Sequence, residues 1–208
     1  VGASLTYLNI GEVIYTDEFG NLDPGRNYKA YEMAFAVSYA TMLSKDWAGG
    51  ISGRFIYSRL SPTDLQVGNE KGTGTGISAS FDLSGMWRPL KGAKFLAKRF
   101  SIGANLSNLG PKISYVDADQ ADPLPTQLRV GFDYEVIKSE FNNLSLTVDF
   151  SKLLVNRTAS VVDTNGVVLV NGTVDPFYKA IFTSWKGGIP GIAKSIQTSI
   201  GAEYWYGS

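Results

Sequence analysis

Residues 31–43 read YEMAFAVSYATML, and they alternate. Tyr31, Met33, Phe35, Val37, Tyr39 and Leu43 point one way, while Glu32, Ala34, Ala36, Ser38 and Ala40 point the other. A period of two is the geometry of an extended strand whose faces meet different surroundings. The same alternation recurs along the chain and predicts strands over 1–10, 31–43, 47–60, 73–88, 99–108, 126–137, 143–153 and 195–207. In the fourth, Ile77, Ala79, Phe81 and Leu83 oppose Ser78, Ser80, Asp82 and Ser84. Whatever this chain folds into is built from long strands.

Alternation does not say which face is outside, because a soluble sandwich buries its apolar rows and a membrane barrel turns them to lipid. Three features choose the barrel. Most of the strands exceed the ~5 to 6 residues usual in soluble sheets and reach the ~9 to 11 that a tilted strand needs to cross a bilayer. Of the twelve lysines, eleven fall in the predicted connections and Lys152 at a strand end, leaving a polar face of Gly, Ala, Ser, Thr and Asn that suits a lumen. Aromatic residues gather at the strand ends, with Trp47, Trp87, Phe100 and Tyr206 at one end and Tyr31 and Tyr57 at the other, as two headgroup girdles would. The connections agree. Long ones at 11–30, 61–72, 109–125 and 154–194 alternate with short ones at 44–46, 89–98 and 138–142, the signature of external loops and periplasmic turns. The predicted fold class is all-β, a transmembrane antiparallel β-barrel.

Composition removes competing functions. Lys and Arg number 19, Asp and Glu also 19, and no basic cluster forms a footprint for nucleic acid. With neither histidine nor cysteine, the chain has no Ser-His-Asp relay, no thiol nucleophile, no disulfide, and almost no route to a zinc, haem or iron–sulfur centre. No pair of carboxylates is placed for acid–base work, so neither a catalytic residue nor a cofactor is assigned. No apolar run approaches the ~20 residues of a membrane helix, so any crossing is made by strands. The chain opens inside a strand, VGASLTYLNI, and a secretion signal is expected outside it.

A few stretches have sharper alternatives. GNEKGTGTG at 68–76 lacks the Lys-Ser/Thr ending of a phosphate loop and reads as a flexible loop entering a strand. Asp117, Asp119 and Asp122 offer carboxylates to calcium, but without the glycine and distal glutamate of a calcium loop they read as a solvated loop. On the polar face, Arg54 and Asp82 sit on neighbouring strands, as do Arg129 and Asp149. Charges there must pair or stay wet, which makes these four a structural lumen network, or alternatively a conduction path or ligand site. In the longest connection Asp175 can cap a helix that starts at Pro176 and ends at Gly187 and Gly188. Its apolar residues Phe177, Ile181, Phe182 and Trp185, with Ile189 and Ile192 beyond, are costly to expose. They are expected either to fold over the barrel mouth as a cap or to form a docking surface for a partner protein, with Tyr115 and Val116 on the same surface.

The segment GANLSNLGPKISYVDADQADPLPTQLRVGFDYEV, together with AYEMAFAVSYA, FDLSGMWRPL and IGAEYWYGS, resembles the PorV (LptO) family, FadL-like outer-membrane barrels of the type IX secretion system in Bacteroidetes. That resemblance implies a barrel of fourteen strands with an amino-terminal hatch, of which this chain would be an internal portion forming a single domain over 1–208 that lacks terminal strands and hatch. It implies a place in the bacterial outer membrane, against membrane lipid. It further implies binding to an SprA-type translocon, acceptance of secreted substrates through their carboxy-terminal signal domain, and delivery to an attachment complex containing the PorU sortase. The external-loop residues expected to make such contacts are Tyr115, Val116, Asp117, Phe177, Tyr178, Ile181, Phe182 and Trp185. The alternatives are a FadL-type channel for hydrophobic small molecules, which needs a continuous apolar lumen, and a soluble calyx holding a lipophile.

Overall fold

The structure, a computed structural model, describes residues 1–14, 16, 19–22, 25, 27–61, 65–67, 70–93, 95–116, 121–162, 168–170 and 172–207. Eight long strands follow one another: β1 (Gly2–Val13), β2 (Tyr28–Met42), β3 (Trp47–Arg59), β4 (Thr75–Trp87), β5 (Phe100–Leu109), β6 (Gln127–Lys138), β7 (Asn142–Leu153) and β8 (Ile196–Tyr206). Each pairs antiparallel with the next in chain order, giving a single eight-stranded half-barrel sheet. β1 and β8 are its edges.

The eight predicted strands are all present, and their ends differ from the predicted ones by at most three residues. β1 runs on to Val13 because a bulge between Asn9 and Gly11, with Gly11 at φ 106°, resets the pairing without ending it. β2 begins three residues earlier than predicted, at Tyr28. As a result Lys29, assigned by the sequence pattern to a connection, belongs to the start of β2, and Lys138, likewise assigned, is the last residue of β6, which runs one residue further than predicted. The glycine-rich loop is also more ordered than predicted: Leu65–Val67 pairs with Glu70–Gly72 as a small hairpin.

Burial identifies the faces. Ile77 is 59% exposed and its neighbour Ser78 only 5%. The same inversion holds elsewhere, with Ser58, Ser80 and Ser151 buried while Phe35, Phe55, Leu83, Phe150 and Ile200 stand exposed. A sheet folded for water would do the opposite, since each large apolar side chain left wet forgoes ~1.5 to 3 kcal/mol. The serine rows pack inward under loops, and the apolar rows form an outer wall.

Rings mark the rims of that wall. Trp47, Trp87 and Phe100 follow one another at the short-turn end, the first pair tilted and the second edge-on, with centroids 6.2 and 6.3 Å apart. At the long-loop end Tyr7, Tyr31 and Tyr57 stand 5.8 and 5.9 Å apart. Both predicted groups therefore sit at strand ends, and Tyr7 joins the second.

Candidate functional site

The inner face is organised around one irregularity. β4 and β5 pair Phe81 with Leu109 but Leu83 with Leu106, so one residue of β4, Asp82, opposes two of β5, Ser107 and Asn108. Asn108 takes the extra place in a left-handed conformation, φ 59°, which asparagine tolerates better than most residues. The bulge removes its N–H from the ladder, and Asp82 Oδ1 accepts it at 2.8 Å. Asp82 Oδ2 in turn accepts from Arg54 Nη2 at 2.9 Å, and Arg54 Nη1 donates to Asn108 Oδ1. The predicted Arg54–Asp82 pair thus neutralises the carboxylate that stabilises the bulge. Asn108 also fixes the loop that follows, donating from Nδ2 to Pro125 O at 3.0 Å and accepting from Thr126 Oγ1 at 2.9 Å.

That loop folds inward. Ile113 and Asp122 exchange backbone hydrogen bonds of 2.8 and 2.9 Å, and the Tyr115 hydroxyl donates to Ser58 Oγ at 2.9 Å, which donates to Glu32 Oε1 at 2.8 Å. Gly76 makes room for it, since a Cβ there would stand 2.7 Å from Ile113 Cγ1 and 2.8 Å from Tyr115 Cε1. Beneath it lies a cavity of ≈ 470 Å³ whose lining includes Glu32, Arg54, Ser58, Asn108, Tyr115 and Leu124. Tyr115 and Val116 therefore pack against Gly76 and Gly72 on the inner side, apart from the helical loop. Asp117 and Asp119 lie outside the described residues, and Asp122 pairs with Arg157 at 2.6 Å.

Arg129 and Asp149 line a second inner cavity of ≈ 240 Å³, where Asp149 lies over Gly131. Among the described residues no ion pair joins these two. A charge group that sequence reasoning missed sits at the short-turn end, where Glu135 binds both Arg88 and Lys138. Lys138 is only three residues from Glu135, but Arg88 is 47 residues away in the chain, so spacing gave no signal for the group.

The longest connection contains two helices, α1 (Phe177–Thr183) and α2 (Gly188–Ser195). Asp175 does not cap α1 as predicted. Instead it ties the helix down, accepting from Asn156 Nδ2 and Thr183 Oγ1 at 2.7 Å each and pairing with Lys179 Nζ at 2.8 Å. Lys179, then Asn156 and Thr183, hold its carboxyl far below the usual carboxylate range, and the carboxylate in turn raises the Lys179 ammonium. Gly187 and Gly188, predicted to end the helical segment, link the two helices through left-handed conformations with φ 117° and 66°. α2 escaped prediction because Gly188, Pro190 and Gly191 read as breakers; Pro190 falls in the first turn, where its missing N–H costs no helical bond.

This helical hairpin lies on the outer wall, not across the mouth as the cap reading expected. Phe177 meets Phe81 edge-on at 6.4 Å, and Trp185 lies over the Lys152 ammonium at 5.3 Å. Phe81 and Lys152 both project outward by register. Phe177, Ala180 and Ile181 are drawn in, whereas Tyr178, Phe182 and Ile189 are exposed and Trp185 is borderline. The structure thus groups five of the eight predicted contact residues on one hairpin, and sets Tyr115 and Val116 elsewhere.

An uptake channel needs an unbroken apolar lumen, and the buried serines and the Arg54–Asp82–Asn108 node interrupt it. Residues 1–160 match the family model described as type IX secretion system protein PorV, a span that contains β1–β7 and the inward loop. No curated protein matches the chain.

Proposed function

Because the chain belongs to the PorV family of type IX secretion system proteins, and so has protein partners within that system, we propose that it forms barrel wall in the bacterial outer membrane and works as a docking platform. In this reading the long-loop side binds an SprA-type translocon, accepts secreted substrates through their carboxy-terminal signal domain, and passes them to a PorU-type attachment complex. The observation that supports docking is the exposure of Tyr178, Phe182 and Ile189 on a hairpin held rigidly by Asp175 and Lys152. Exposed aromatic anchors on a preordered element favour protein recognition, because little side-chain entropy remains to be lost on binding. Phe177, Ile181 and Trp185 seat the hairpin, while Tyr178 and Phe182 face the partner. Of the other residues proposed as contacts, Tyr115 and Val116 would meet a partner that enters the inner face, and Asp117 lies outside the described residues.

The whole of 1–208 acts in this reading as one barrel domain. In hydrocarbon the unpaired backbone groups on the edges of β1 and β8 would need hydrogen-bonding partners.

The test is recovery of the translocon protein from solubilised outer membranes by the tagged protein. Tyr178→Asp with Phe182→Asp, both on exposed positions, is expected to lower recovery about tenfold or more, as loss of two anchors worth ~1 to 2 kcal/mol each would do. Unchanged recovery would refute the hairpin as the docking surface.

A further inference from the structure

One charge on the outer wall has no counterion among the described residues. Lys152 faces Leu128 and Ile196 in register and shares its side of β7 with Val148 and Phe150. It lies one residue from the long-loop end of the strand and is 6% exposed. Its ammonium donates to Ser195 Oγ at 2.5 Å and sits under the Trp185 ring, and neither partner bears charge. Among the described residues no carboxylate pairs with it. A cation held out of water without an anion is costly, and a membrane wall makes it costlier.

The surroundings specify what would complete it. Leu128, Val130, Phe150, Trp185 and Ile196 line an apolar slot of ≈ 90 Å³ beside the ammonium. Lys186 and Lys194 on the hairpin are exposed and, among the described residues, also lack carboxylate partners, while Asp175 is already occupied by Lys179. A narrow apolar slot, a buried ammonium and a basic hairpin at headgroup depth together match an amphiphile with a negative head and a hydrocarbon chain.

We propose that the slot between α1–α2 and the outer wall binds an anionic, phosphate-bearing membrane lipid, its phosphate oxygens accepting from Lys152 Nζ and its chain lying along Val130 and Phe150. This rests on the reading above that the outer wall meets lipid. The bound lipid fastens the hairpin from beneath and leaves Tyr178 and Phe182 free for a protein partner.

The experiment places the full-length protein in nanodiscs of phosphatidylcholine containing a minor fraction of phosphatidic acid, and counts retained lipids by native mass spectrometry. Wild type is expected to retain phosphatidic acid about tenfold in preference to phosphatidylcholine, Lys152→Arg to keep that preference, and Lys152→Gln to lose it. Equal retention of the two lipids by wild type overturns the proposal without recourse to any variant, as does an undiminished preference in Lys152→Gln. Excess inorganic phosphate is expected to leave the lipid in place; displacement would assign the site to free phosphate and overturn the lipid. If the wild type does not enter nanodiscs at all, the membrane reading itself fails, whereas insertion without lipid preference defeats this inference alone.

Discussion

Asn108 shows how one residue sets a site. Its left-handed backbone opens the β5 ladder, Asp82 takes the freed N–H, and Arg54 balances Asp82, so removing any member leaves another without its partner. With the Arg54 and Asp82 side chains 29% and 15% exposed, water offsets part of that loss. Arg54→Ala is expected to lower stability by about 1 to 3 kcal/mol, read as a shift of the urea midpoint of the protein folded in vesicles. Gly76 tests the other anchor of the inward loop. A valine there has no space beside Ile113 and Tyr115, so Gly76→Val is expected to displace residues 110–116 and expose them to protease, while leaving the strands paired. An unchanged digestion pattern would contradict the packing described.

At the scale of elements, the hairpin is held by a carboxylate, and this gives it an acid limit. Asp175 is depressed in the folded state, so its contribution is present in full above the ordinary carboxylate value of ~3.9 and is lost as pH falls below that toward the folded value. Hydrogen exchange over residues 175–186 is expected to show steady protection from pH 7 to 5 and a decline below ~4, with Asp175→Asn flattening the dependence. A flat profile in the native protein would refute the tie to Asn156 and Thr183. How much of this was legible beforehand follows from the range of the forces involved. Strands declared themselves because a period of two is local, and α1 because Asp175, Pro176 and the apolar residues after them are adjacent. Gly11 hid the continuation of β1, and Pro190 hid α2, since each residue breaks elements in most settings but is harmless at a bulge or in a first turn. That Phe177 would find Phe81, or Trp185 find Lys152, had no local signal at all. Arg54 and Asp82 were paired correctly from strand depth, while the bulge that gives the pair its purpose arises only when β4 and β5 meet.

For the whole molecule, the decisive fact is that serine is buried and phenylalanine exposed. The wall from Phe35 through Phe55 and Leu83 to Phe150 makes sense against hydrocarbon and against nothing aqueous. Phe55→Lys, mid-strand on that wall, is therefore expected to cost ~2 to 4 kcal/mol in bilayers, whereas Ser52→Lys on the inner side costs well under that, both read from unfolding in vesicles. The most direct test labels each residue from 49 to 57 of β3 with a nitroxide and measures its collision rates with oxygen, which partitions into lipid, and with a water-soluble nickel chelate. The account predicts strict alternation, with oxygen favoured at Ile51, Gly53 and Phe55 and the chelate at Ser52 and Arg54. Alternation of the opposite phase, or chelate access at Phe55 equal to that at Ser52, would contradict it.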